Sequence, residues 1–173
     1  MVKGRGQKRK ERLEARNRIV RVPPGARWRG RDLSGKTLRL PASDEDTADI
    51  DLSACDLSFC DLDSQVLAGV RLDDADMAGA TLYYANLADA SMRRVNLRDV
   101  KTDFTTFSGA DMEGATLSQT TFIECDFERV NFRSADLRGA RFEDCTFDEA
   151  DFQGAVWDST TSWPAGFDMR RLR

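Results

Sequence analysis

Histidine is absent from all 173 residues. The commonest general base and the commonest zinc ligand are therefore both missing. No apolar run approaches the roughly 18 residues that a membrane helix requires. The amino-terminal segment is charged and lacks the apolar stretch of a secretory signal, so a cytoplasmic protein is expected. No phosphate-cradling glycine motif is found either. Cysteine is limited to Cys55, Cys60, Cys125 and Cys145. These absences argue against an enzyme, a cofactor or a catalytic metal. Hydrophobic residues nonetheless make up 40% of the chain, enough to build a packed core.

The formal net charge of -4 conceals an asymmetry. Residues 1–31 hold twelve Lys/Arg and two Glu, a net of +10, whereas residues 32–173 hold fourteen Lys/Arg and twenty-eight Asp/Glu, a net of -14. A basic arm precedes an acidic body, and the two suit different partners.

The dominant feature is a period of five. Every fifth residue from Leu52 to Trp157 is large and apolar, 22 positions in all, with only Thr102 polar. This series includes Leu57, Leu87, Phe107, Phe122, Phe127, Phe132, Phe142, Phe147, Phe152 and Trp157, all expected in the core. The residues two places earlier form a second series, mostly Ala, Cys, Val and Thr, and hold all four cysteines. A period of five fits neither an α-helix nor a simple strand. Second neighbours share one face of an extended segment, so each pentapeptide points one large and one small side chain inward and then turns. The cysteines read as small buried hydrophobes carrying free thiols. Gly69, Gly79, Gly109, Gly114, Gly139 and Gly154 each follow a large core residue by two places, where corners are expected.

Segments such as ADMAG-ATLYY-ANLAD (residues 75–89) and ADLRG-ARFED-CTFDE-ADFQG (residues 135–154) resemble the A(D/N)LXX signature of the pentapeptide-repeat family. The likeness runs over residues 50–157. It implies an all-β fold, a right-handed quadrilateral parallel β-helix with four repeats per coil. Twenty-two repeats then give about 5.5 coils, and strands stacked roughly 4.8 Å apart give a rod about 26 Å long. Four repeats per coil stack residues 20 apart, so the core changes from Leu-rich to Phe-rich toward the C-terminus. Leu33 and Leu38 keep the five-residue spacing and predict a partial N-terminal coil, but Leu38 and Leu52 are out of phase, so residues 39–49 are expected to form an acidic loop. The expected organisation is a flexible basic arm (1–27), a partial coil with the acidic loop (28–49), the β-helix (50–157), and a C-terminal cap and tail (158–173), with Trp163 and Phe167 covering the last coil.

Tyr83, Tyr84, Phe104 and Ile123 follow core positions of one face in three successive coils. Two arrangements fit them. Either they form an exposed apolar patch, the usual mark of an interface, or a bulge within residues 102–107 turns Phe104 inward and Thr102 outward. Asp44, Glu45 and Asp46 in the acidic loop are further candidates for partner binding. The best-understood members of the resembled family protect DNA gyrase from quinolones by mimicking duplex DNA. The resemblance therefore implies a non-enzymatic protein that binds gyrase or topoisomerase IV, without cofactor, metal or membrane. Residues 50–158 carry a net -13, and duplex DNA of about 26 Å carries roughly 15 charges. Arg93, Arg94 and Arg133 interrupt that acidic field. The alternative is a protein–protein interaction scaffold unrelated to DNA. The basic arm reads as a solvated tail or as a contact for nucleic acid or an acidic surface, and the C-terminal end as a site for homodimer formation.

Overall fold

A computed structural model of the protein describes residues 19–172. The named strands are β1 (Ile19–Arg21), β2 (Thr37–Arg39), β3 (Lys101–Asp103), β4 (Thr121–Ile123) and β5 (Arg141–Glu143). A single turn of α-helix, α1 (Asp44–Thr47), and a closing 3-10 turn (Met169–Leu172) complete the described elements. All pairings are parallel. Single bridges extend the ladder of the named strands, where Asp61 pairs with Thr81, and build three further ladders, in which Asp51 pairs with Arg71, Asp56 with Asp76, and Val66 with Asn86, each 20 residues on. These four ladders define four faces, named here by their core residues Leu52, Leu57, Leu62 and Leu67.

The pentapeptide Leu52–Asp56 shows why five residues suffice. The amide of Leu52 donates to the Arg71 carbonyl of the next coil, and Ala54 donates to Asp73 of the same coil. Cys55 closes the turn onto Leu52, and Asp56 donates backward to Arg31. The remaining amide, Ser53, donates to the side chain of Asp51 at 3.0 Å. Every backbone donor is thereby satisfied, and the Asp or Asn of the repeat is explained as the acceptor of that last amide. The same bond recurs from Ser58 to Asp56, Glu128 to Asp126 and Gln153 to Asp151. Where the position lacks Asp or Asn, a carboxylate from the preceding coil takes over, as Asp63 does for Tyr83 and Asp73 for Arg93.

The two inward series are buried from Ile50 to Phe152 with few exceptions. Aromatic stacks run along the axis at the C-terminal end: Phe107, Phe127 and Phe147 lie 5.1 and 5.2 Å apart, and Phe122, Phe142 and Trp163 lie 5.3 and 5.2 Å apart.

Three expectations are corrected at the ends and in the insertion. The first described strand, Ile19–Arg21, lies inside the segment expected as a flexible arm: β1 pairs with β2, and Val22 and Ala26 are buried. Only residues 1–18 of the expected arm lie outside the described residues. The 39–49 segment lengthens its coil, so that Arg27 pairs with Asp51, and it contains α1. Trp157 is 40% exposed rather than core. The chain takes one extra residue there, pairing Arg141 with Ser162, and so places Trp163 on Phe142. Trp163 and Phe167, stacked at 4.4 Å, close the aromatic column.

Candidate interaction surface

The corner of each repeat requires a left-handed residue two places after the large core position. Glycine fills this place at Gly69, Gly79 and Gly109, among others, and non-glycine residues fill it elsewhere. A side chain in this region costs about 1–2 kcal/mol. Three of the occupants are aromatic: Phe59 (φ 56°), Tyr84 (φ 58°) and Phe104 (φ 57°). They are also among the most exposed apolar residues, at 73%, 63% and 44%. Bulky residues in this conformation are uncommon, and strain retained at exposed sites points toward a role other than folding.

Tyr84 and Phe104 sit one above the other on the corner between the Leu62 and Leu67 faces. Their rings are parallel, with centroids 5.0 Å apart. The bulge alternative does not occur: Thr102 points inward, is fully buried, and donates its hydroxyl to the Thr121 carbonyl. Tyr83 and Ile123 are half-buried on the adjoining Leu62 face and form the floor beside the stack. Phe59 was not anticipated. It occupies the opposite corner of the Leu62 face, and its ring lies over Gly79, where an added Cβ would meet it at 2.6 Å. Its signal is nevertheless in the sequence, since Phe59, Tyr84 and Phe104 all occupy the same place in the repeat.

The acidic insertion is anchored. Ser43 caps α1 by accepting from the Asp46 amide, and the buried Thr47 donates to the Ala68 carbonyl at 2.8 Å. Ala48 lies against Gly69, where a Cβ would approach within 3.2 Å. Asp44, Glu45 and Asp46 are thereby held, exposed, at the N-terminal end of the Leu67 face. Farther along this face and its corner stand Asp89, Asp126, Glu128, Asp148, Glu149 and Asp168. Arg129 pairs with Glu128 at 2.6 Å and Arg170 with Asp168 at 2.7 Å, and Arg171 lies at the C-terminal end beside Phe147. The Leu52 face differs: Arg93 pairs with Glu113, Arg94 with Asp74 and Arg133 with Asp151, which largely neutralises it. On the Leu57 face the Arg138 guanidinium bonded to Asp136 holds that carboxyl below its usual range.

The cysteines are free and buried. Cys55 donates to the Trp28 carbonyl, Cys60 to Leu33 and Cys125 to Thr102, each in the preceding coil. Thr105 and Thr120 make the same bond to Leu82 and Leu97. The small inward position therefore accepts either a thiol or a hydroxyl as an inter-coil donor. Burial pushes the Cys60 thiol up to about 11, and the adjacent Cys125 thiol, with burial, pushes Cys145 upward. Such thiols are poor nucleophiles. Thiol titration of the denatured, unreduced protein should give four free groups, whereas two would mean a disulfide. Among the described residues no His/Cys/Asp/Glu group is arranged to hold a metal ion, and no helix is long and apolar enough to cross a membrane.

Two family profiles match the chain: "Pentapeptide repeat region" over residues 105–161 and "Pentapeptide repeats (8 copies)" over residues 66–99. Curated protein sequences give no match. Similar solved structures include QnrB1, a plasmid-mediated fluoroquinolone resistance protein, at 12% identity, with 82% of this chain and 94% of QnrB1 covered and a TM-score of 0.48. HetL, a pentapeptide repeat protein involved in heterocyst differentiation regulation from the cyanobacterium Nostoc sp., is similar at 21% identity, with 79% of this chain covered and a TM-score of 0.37. The match spans 63% of HetL, less than two thirds of its length. A pentapeptide repeat protein of the Arabidopsis thaliana thylakoid lumen shares 28% identity over 66% of this chain and 70% of its own, with a TM-score of 0.30.

Proposed function

Because this chain belongs to the pentapeptide-repeat family, we propose that it is a non-enzymatic binding protein whose acidic rod enters the DNA-binding groove of a type II topoisomerase, DNA gyrase or topoisomerase IV, in place of duplex DNA, and shields the enzyme from inhibitors. The carrying observation is the Leu67 face. Carboxylates from α1 at one end to Asp148 and Glu149 at the other lie along one side of a parallel-stacked core, with few cations among them. Surface charge predominantly of one sign steers association with a basic groove. The Tyr84–Phe104 stack borders the same face and supplies the apolar anchor that such an interface needs. In this reading the coil is right-handed, the protein works in the cytoplasm, and two copies meet through their C-terminal ends.

The decisive measurement is gyrase supercoiling with and without ciprofloxacin, at low and moderate salt. Added protein should restore supercoiling in the presence of the drug, and the effect should weaken as salt rises, because the interface charges are screened. Failure to bind gyrase at low salt would leave the second reading, a protein-interaction scaffold unrelated to DNA. One observation favours that alternative: the ion-paired Leu52 face does not resemble a polyanion.

A further inference from the structure

The first coil carries charge of the opposite sign to the rest of the rod. Residues 19–40 hold Arg21, Arg27, Arg29, Arg31, Lys36 and Arg39 against a single carboxylate, Asp32. The five arginines are exposed. Their positions are set by the coil rather than by a loose tail. Arg27 and Arg29 flank Trp28, which packs partly against the core, and the backbone amides of Trp28 and Gly30 donate to Asp51 and Ser53 of the next coil. The Arg31 guanidinium lies 5.0 Å over the Trp28 ring. Arg21 and Arg39 are direct partners in the β1–β2 ladder. Like charges placed opposite each other in a sheet oppose folding, and among the described residues the ion-pair partner of this pair is Asp61, 3.9 Å from Arg39. Arg21, Arg27, Arg29 and Arg31 have no carboxylate within ion-pair distance among the described residues.

We infer that this end of the rod is a contact for the phosphate backbone of a nucleic acid. Three features select that partner. The cations are almost all arginine, whose planar fork matches phosphate oxygens. They are continuous in sequence with residues 1–18, which hold eight further Lys/Arg against two Glu. The body beyond is acidic, so a polyanion is repelled along the rod and held at its end. The contact is short, independent of base sequence and salt-sensitive. It is separate from the acidic surface assigned to the topoisomerase, and either assignment can fail alone.

The test is fluorescence anisotropy of the full chain with a labelled duplex of arbitrary sequence, titrated with salt. The duplex should bind at low salt, with affinity falling linearly on a log–log plot. Replacing the exposed arginines together (Arg21→Ser, Arg27→Ser, Arg29→Ser), with the arm intact, should make that slope shallower by about three, roughly one per lost phosphate contact. The lysine triple variant at the same positions should keep the slope, and a melting curve for each variant confirms the folded rod. An unchanged slope in the serine variant, or no duplex binding at low salt, overturns the inference. So does polyglutamate binding as tightly as the duplex, which would mark an acidic protein as the partner. Salt-sensitive self-association without duplex binding also overturns it, and would mean that the basic end meets the acidic body of a second copy.

Discussion

Replacing Phe127 by alanine is expected to destabilise the protein by about 3–5 kcal/mol, the usual result of deleting a fully buried phenyl ring. Phe127 is the centre of the aromatic core. It stacks on Phe107 and Phe147 along the axis, meets Phe122 and Phe142 edge-on at 5.3 and 5.8 Å, and touches Phe132 at 5.4 Å. The neighbouring coils are pinned by their backbone ladders at a fixed spacing, so the cavity cannot close by collapse. Asp136→Ala supplies the control. Its carboxylate accepts from the Arg138 amide and guanidinium on the surface, and the loss exposes those donors to water rather than burying them. In urea denaturation the Phe127→Ala midpoint should fall far below that of Asp136→Ala. Equal shifts in the two midpoints would mean that Phe127 does not face the interior.

The second large effect separates binding from folding. Tyr84 and Phe104 hold left-handed backbone conformations that glycine adopts without steric cost. Tyr84→Gly with Phe104→Gly removes the exposed stack while relieving strain at both corners. The relief and the lost ring stacking oppose each other, so the melting temperature should change little. Under the proposed topoisomerase function, binding to gyrase should fall about 30-fold or more, since buried aromatic anchors typically contribute about 2 kcal/mol or more to an interface. A double variant that binds like the wild type would remove the corner stack as anchor. One that unfolds would show that the stack serves the fold. Phe59→Gly on the opposite corner tests whether the surface extends across the Leu62 face.

The identity of the core could be read directly from the chain. The five-residue recurrence dictates which side chains point inward, because each pentapeptide satisfies its own amides through one turn, one Asp or Asn side chain and identical neighbours above and below. That solution is local and repeats, so a sequence pattern alone carries it from Ile50 to Phe152. The corner glycines and the inward cysteines follow from the same rule. The tertiary structure decided what happens where the five-residue spacing is interrupted. At the N-terminus β1 finds its partner 18 residues on, without the repeat spacing, so Val22 and Ala26 are buried by a pairing that no period announces. At the C-terminus, Trp157 keeps the period yet is exposed, while Trp163 breaks it by one residue to land on Phe142. Whether Phe104 faces water was likewise undecided by pattern, since Thr102 is the one polar member of the large series; its hydroxyl is accommodated only because the Thr121 carbonyl of the next coil stands within reach. Periodicity specifies the interior of a stacked coil, where every repeat has the same surroundings, and the particular contacts at ends, insertions and corners specify the rest.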